Sequence, residues 1–175
     1  MLPLVIGYGN PLRADDGVGW HVAQQLAAVL SPDAATVITT HQLTPELAEP
    51  ISRAGLVIFV DASAEGEPGH VASAAVPPQE GTSLTFSHDV EPQTLLGLAG
   101  ALYGAYPPAV VVSVAGRDFG YGNELSPVVQ AAIPRALAAV RSALSAHASH
   151  RGTPASFAMP PAAEPLGPSG GHTHA

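Results

Sequence analysis

The chain contains neither cysteine nor lysine in its 175 residues. Without cysteine there is no disulfide, no thiolate metal site and no thiol nucleophile. Positive charge comes from six arginines alone, set against 14 acids for a net charge of −8. That balance excludes the basic footprint that nucleic acid or an anionic membrane requires. Charged residues are few, 11% of the chain against 46% hydrophobic ones, yet no apolar run approaches the roughly 20 residues of a membrane span. The apolar stretch Leu2 to Ile6 is too short for a signal peptide and lacks a basic start. The expectation is a single soluble, cytoplasmic domain of ordinary size, a monomer or weak dimer, with a core of its own. Familiar catalytic strings are missing too: there is no G-x-S-x-G elbow and no H-E-x-x-H helix. Gly7-Tyr8-Gly9 has Leu12 where a dinucleotide fingerprint needs a third glycine, so that motif is incomplete.

What is present is an alternation of strand and helix signals. Leu2 to Ile6 reads as a buried strand, and Val18, Val22, Leu26 and Leu30 recur at helical spacing. Ala35 to Thr39 is β-branched and reads as a second strand. Thr44-Pro45-Glu46-Leu47 opens a short helix, with threonine as cap and proline at its first position. Leu56 to Val60 is a third, strongly apolar strand running into Asp61. Glu65 to Gly69 reads as a turn and His70 to Val76 as an edge strand. Pro92 starts a helix that turns Leu95, Ala99 and Leu102 inward, and Ala109 to Val114 is a further strand. Ser126-Pro127 caps the last helix, whose face is Val129, Ile133, Leu137, Val140 and Leu144, with Pro134 kinking it from inside. The order implies an α/β fold: a mainly parallel sheet covered on both sides, spanning residues 1–149. From His150 to the end, proline, glycine, serine and alanine dominate without period, the composition of a disordered tail.

Gly7 to Gly19, GYGNPLRADDGVG, occupies a strand-to-helix turn. A phosphate is the usual guest of such a turn, but Asp15 and Asp16 would repel it, so a cation suits the site better. Ligands of doubly wound sheets bind beyond the carboxyl ends of the strands, where strand order reverses. Asp16 follows the first strand and Asp61 ends the third, so adjacency of those strands would bring the two carboxylates to one crevice. His88, in Phe86-Ser87-His88-Asp89, is the natural third group. Two carboxylates and an imidazole suit a divalent transition metal and leave positions open for water or substrate. Plainer roles stand beside these: Asp15 or Asp16 as a helix cap, His88 as a polar loop residue, His41 as a turn support at the end of the second strand. Asn10 holds the turn with its side chain, and Arg13 pairs with an acid or contacts substrate.

GYGNPLRADDGVG, LVIFVDA from Leu56 to Ala62 and SHDVEP from Ser87 to Pro92 together resemble the hydrogenase maturation endopeptidases. Their order and spacing match over roughly residues 1–145, including PPAVVVSVAGRDFGYGNELSP from Pro107 to Pro127. The resemblance implies a three-layer αβα sandwich with a five-stranded twisted sheet. It also implies an activity, removal of a C-terminal extension from the large-subunit precursor of a nickel–iron hydrogenase. The metal ligands carried over are Asp16, Asp61 and His88, with Asp16 and Asp61 as catalytic carboxylates. The metal that the resemblance implies is nickel already inserted in the precursor, serving as the recognition signal; another divalent ion would fit the same donors. A non-cutting checkpoint or chaperone that binds the same precursor is the alternative. Two departures stand out. Some members carry glutamate in place of Asp16, and the Asp-Gly-Gly-Thr turn of many members is replaced here by Thr39-Thr40-His41-Gln42.

Overall fold

The computed structural model describes residues 1–79 and 90–151, with the side chains of His150 and Arg151 left aside. Among these residues five strands and five α-helices follow in chain order, with short 3₁₀ turns at residues 14–17 and 45–47. They are β1 (Leu4–Tyr8), α1 (Val18–Val29), β2 (Thr36–Thr40), α2 (Ala48–Ser52), β3 (Val57–Ser63), β4 (Val71–Ala75), α3 (Pro92–Tyr103), β5 (Ala109–Ala115), α4 (Pro127–Gln130) and α5 (Ile133–Arg151). The strands form one sheet in the order β2-β1-β3-β5-β4. All pairings are parallel except that of β4, which runs antiparallel to β5 at the edge.

Strand alternation divides the apolar residues between two faces, and each face finds its own helices. Val5, Ile58, Val60, Val112 and Val114 point to one side, where Val18, Val22 and Leu26 of α1 and Val129, Ile133, Ala136 and Val140 of α4 and α5 cover them. Leu4, Ile6, Val57 and Phe59 point to the other, under Ile51 of α2 and Leu95, Leu96 and Ala99 of α3. A strand buried on both faces must read as a continuous apolar run, which is why β1 and β3 look as they do in the sequence. The result is the expected three-layer αβα sandwich. Among the described residues no helix is long and apolar enough to cross a membrane.

Several local expectations are corrected. Leu102 is 63% exposed: the buried stripe of α3 ends at Ala99, and the last turn, closed by left-handed Gly104, carries Leu102 and Tyr103 clear of the sheet. Thr44 and Ser126 precede their helices but make no side-chain cap. The last helix is not kinked but divided, into α4 and α5. Pro134 has no N–H to give to Gln130, and its ring crowds that carbonyl. The tail after His150 falls, but for Arg151 at the end of α5, outside the described residues.

Candidate active site

The sheet order reverses at β1: the chain passes from β1 outward to β2, then returns to place β3 on the other side of β1. The crevice above that switch point has a volume of about 780 Å³ and is lined by Tyr8, Asn10, Asp16, His41, Asp61 and Phe119 among others. Asp16 and Asp61 therefore meet in one cleft, as the adjacency of the first and third strands requires. His41 stands on the same cleft from the β2 side. His88 lies outside the described residues. A second recess, about 390 Å³, shares Tyr8 and Asp61 with the crevice and is lined at the start of α3 by Glu91.

Asp16 is presented by a turn with little freedom. After β1 the backbone bends at Gly9, whose φ of +126° is open only to glycine, and a Cβ there would lie 1.8 Å from the Asp16 carbonyl oxygen. Asn10 fastens the bend: its Oδ1 accepts from the Leu12 N–H at 2.9 Å. Its own N–H donates to Asp16 Oδ2 at 2.8 Å. Among the described residues Arg13 forms no acid pair; its guanidinium donates to the Phe119 carbonyl at 3.2 Å. Residues 14–17 then make a single 3₁₀ turn that leads into α1.

Asp61 sits two-thirds of the way along β3, where the burial of the strand gives way to the cleft. Register places Gly7 opposite Val60, so Tyr8 and Asp61 are the next neighbours across the two strands. The Tyr8 hydroxyl donates to the Asp61 carboxylate, and the Ala62 N–H donates to Asp61 Oδ1 at 2.7 Å. Burial nevertheless dominates and, with the charge of Asp16 added, pushes the Asp61 carboxyl up from 3.8 to about 6. Burial first, and the Asp61 charge second, hold the Tyr8 hydroxyl protonated far above its ordinary range. Tyr8 was legible as a partner only through this register, which a sequence read strand by strand does not give.

A carboxyl whose pKa rises on folding binds its proton more tightly in the folded chain than in the unfolded one. Stability is then full at pH values below the unfolded pKa and falls as pH rises from about 4 to about 6, here by about 3 kcal/mol. Asp61→Asn keeps the shape and removes the buried charge. Its melting temperature is expected to exceed that of the wild type at pH 7.5 and to converge with it near pH 4. Parallel thermal melts at the two pH values measure this. A variant less stable than wild type at pH 7.5 contradicts the assignment.

Asp15 points the other way and is fully buried, at 0% exposure. It caps neither the 3₁₀ turn nor α1. A short acidic residue at a helix start can satisfy backbone donors from any segment nearby, and here those donors come from the loop after β5. Its carboxylate accepts from the N–H groups of Arg117, Asp118 and Ser126 and from the Ser126 hydroxyl. Burial opposes the charge, but these four bonds outweigh it and hold the carboxyl below its ordinary value. No periodicity or spacing in the sequence marks a contact about a hundred residues away.

No protein-family model matches the chain, and no curated protein sequence does. Solved structures do. The hydrogenase maturating endopeptidase HybD from E. coli is 26% identical with a TM-score of 0.65, covering 83% of this chain and 93% of its own. A hydrogenase 2 maturation peptidase from a Thaumarchaeota archaeon is 27% identical with a TM-score of 0.64, over 83% of this chain and 99% of its own. The [NiFe] hydrogenase maturation protease HycI from Thermococcus kodakarensis shares the fold at 22% identity and a TM-score of 0.65, over 82% of this chain and 92% of its own.

Proposed function

We propose that this chain, which shares both the motifs and the fold of the hydrogenase maturation endopeptidases, removes the C-terminal extension from the large-subunit precursor of a nickel–iron hydrogenase. One observation carries the reading: Asp16 and Asp61 line a single open crevice at the switch point of the sheet. The donor set suits the cargo. Carboxylate oxygens and an imidazole are acceptable ligands for a divalent metal of nickel's class. Among the described residues no group of three such side chains forms a closed metal cage. Asp16 and Asp61 supply two of the proposed ligands, and His88 is proposed as the third. Nickel arriving in the precursor would thus be bound by both proteins and serve as the signal that insertion is complete. Its charge would polarise the scissile carbonyl.

The chain's own residues do the rest. Asp61 joins the crevice to the recess beside α3, so an extended peptide lying along both passes over its carboxylate. A carboxylate bound to metal is not free to act as base, so Asp61 accepts the proton of the attacking water only where Asp16 and the third ligand hold the metal without it; its burial in the cleft favours that transfer. The water oxygen bonds to the carbonyl carbon, the C–N bond breaks, and the proton held by Asp61 passes to the leaving amine. Tyr8 holds Asp61 in place throughout. Asp16, bonded at one oxygen to the Asn10 N–H, would hold the metal through its carboxylate.

The deciding experiment incubates the purified chain with nickel-loaded and nickel-free precursor and weighs the products. Loss of a C-terminal peptide from the nickel-loaded form alone is expected. Binding with no change in mass would assign a checkpoint role instead, and equal cleavage of both forms would remove nickel from the recognition.

A further inference from the structure

Asp15 is the one charged side chain fully buried among the described residues, and the chemistry proposed above leaves it idle. Its oxygens are fully engaged. Oδ2 accepts from the N–H of Arg117 at 2.8 Å, the N–H of Asp118 at 2.9 Å and the Ser126 hydroxyl at 2.7 Å. Oδ1 accepts from the Ser126 N–H at 2.7 Å. All four donors belong to the ends of one loop, the segment that leaves β5 and leads into α4. The backbone adds further stitches between the same two segments: Asp15 N–H to the Asp118 carbonyl at 2.9 Å, Ala14 N–H to the Gly122 carbonyl at 2.8 Å and Gly122 N–H to the Leu12 carbonyl at 3.0 Å.

The geometry of the turn gives this clamp a consequence at the crevice. Ala14 has a φ of +45°, the one positive value among non-glycine residues described, a conformation that costs on the order of 1 kcal/mol and persists only where its surroundings impose it. It turns Asp15 inward to the loop while the next residue, Asp16, faces the crevice. The loop in turn places Phe119 on the wall of the crevice that Asp16 also lines. One buried carboxylate therefore ties together the turn that presents Asp16 and the loop that builds the wall.

We propose that Asp15 is a positioning residue for the peptidase reaction: by clamping the β5–α4 loop to the 3₁₀ turn, it fixes where Asp16 stands in the crevice. The proposal rests on the reading of Asp16 as a site residue. Four donors surround Asp15, so Asp15→Asn must turn its amide toward at least one of them and break that bond. Ser126→Ala deletes only the hydroxyl contact and is the gentler variant.

The test measures processing of nickel-loaded precursor at a temperature where wild type, Asp15→Asn and Ser126→Ala are all folded, with amide hydrogen exchange at Asn10 read alongside. The Asn10 N–H reports directly on Asp16, to which it donates. Expected for Asp15→Asn is a fall in kcat of about 10- to 100-fold with KM within about twofold, and faster exchange at Asn10; Ser126→Ala shifts both in the same direction by less. A purely structural Asp15 would lower the melting temperature and leave kcat per folded molecule alone. Wild-type kcat in both variants overturns the proposal, whatever the exchange shows. If Asp15→Asn does not fold, Ser126→Ala decides by the same criteria. Should wild type fail to cut the precursor, the assigned function falls, and the Asn10 exchange alone decides: unchanged exchange in both variants overturns the positioning role, faster exchange upholds it.

Discussion

Asp16→Asn is expected to slow processing of a nickel-loaded precursor by on the order of 10³-fold while leaving the melting temperature nearly unchanged. The two halves of that expectation have separate causes. Asn offers one carbonyl oxygen, enough to keep accepting from the Asn10 N–H that holds Asp16 Oδ2 at 2.8 Å. The bend is preserved. What disappears is the negative charge that Asp16 brings to the crevice, and with it the proposed attraction for a divalent ion. Mass spectrometry of the precursor over a time course gives the rate, and circular dichroism confirms the fold. Wild-type cleavage by a folded Asp16→Asn protein is the outcome that removes Asp16 from the mechanism. Asp61→Asn is expected to be as slow, but with the gain in stability at neutral pH argued from its burial, so the two carboxylates separate by melting behaviour even where activity does not distinguish them.

The second large effect concerns packing. Gly19→Ala is expected to cost about 3 kcal/mol or more, enough to threaten folding outright. A Cβ on Gly19 would lie 2.2 Å from the Val60 carbonyl oxygen and 2.4 Å from that of Tyr8. Both are backbone atoms of hydrogen-bonded strands and cannot swing aside as a side chain would. Gly7 meets the same contact from the other side, a Cβ there being 2.2 Å from the Gly19 carbonyl oxygen. Helix α1 thus rests directly on β1 and β3, and one methyl group would push it, with the turn that carries Asp16, away from the sheet. Urea unfolding measures the cost. A Gly19→Ala protein as stable as wild type would show that α1 can shift without loss.

How much of this was readable in advance follows from the range of each interaction. Doubly buried strands announce themselves: LVIGY and VIFVDAS carry the apolar run that burial on both faces demands. Convergence of Asp16 and Asp61 also followed, because it needs only that β1 and β3 be neighbours. Helix ends were read less well. Ser126 has the composition of a cap, yet its hydroxyl turns to Asp15, since a buried carboxylate is the stronger acceptor. Leu102 fits the helical period, but period alone does not say where the sheet beneath the helix stops. The capping role open to Asp15 from its position fails for a related reason: its donors come from the far end of the chain, and local sequence holds no trace of them. Tyr8 escaped notice because its partner is set by strand register.

The two faces of the sheet are also two moments in the life of the chain. Helices α2 and α3 precede β5 in the sequence, so the side built on Phe59 and Leu95 has all its helices before the last strand emerges from the ribosome. The side built on Val60, Val112 and Val140 must wait for α4 and α5, with only α1 to shelter it. The donors that Asp15 requires emerge in the same late interval. A nascent chain halted after β5 would hold both crevice carboxylates and the Asn10 bonds of the turn, but not the loop that Asp15 clamps to it. The clamp on the turn that presents Asp16 is therefore among the last contacts the sheet's surroundings can make.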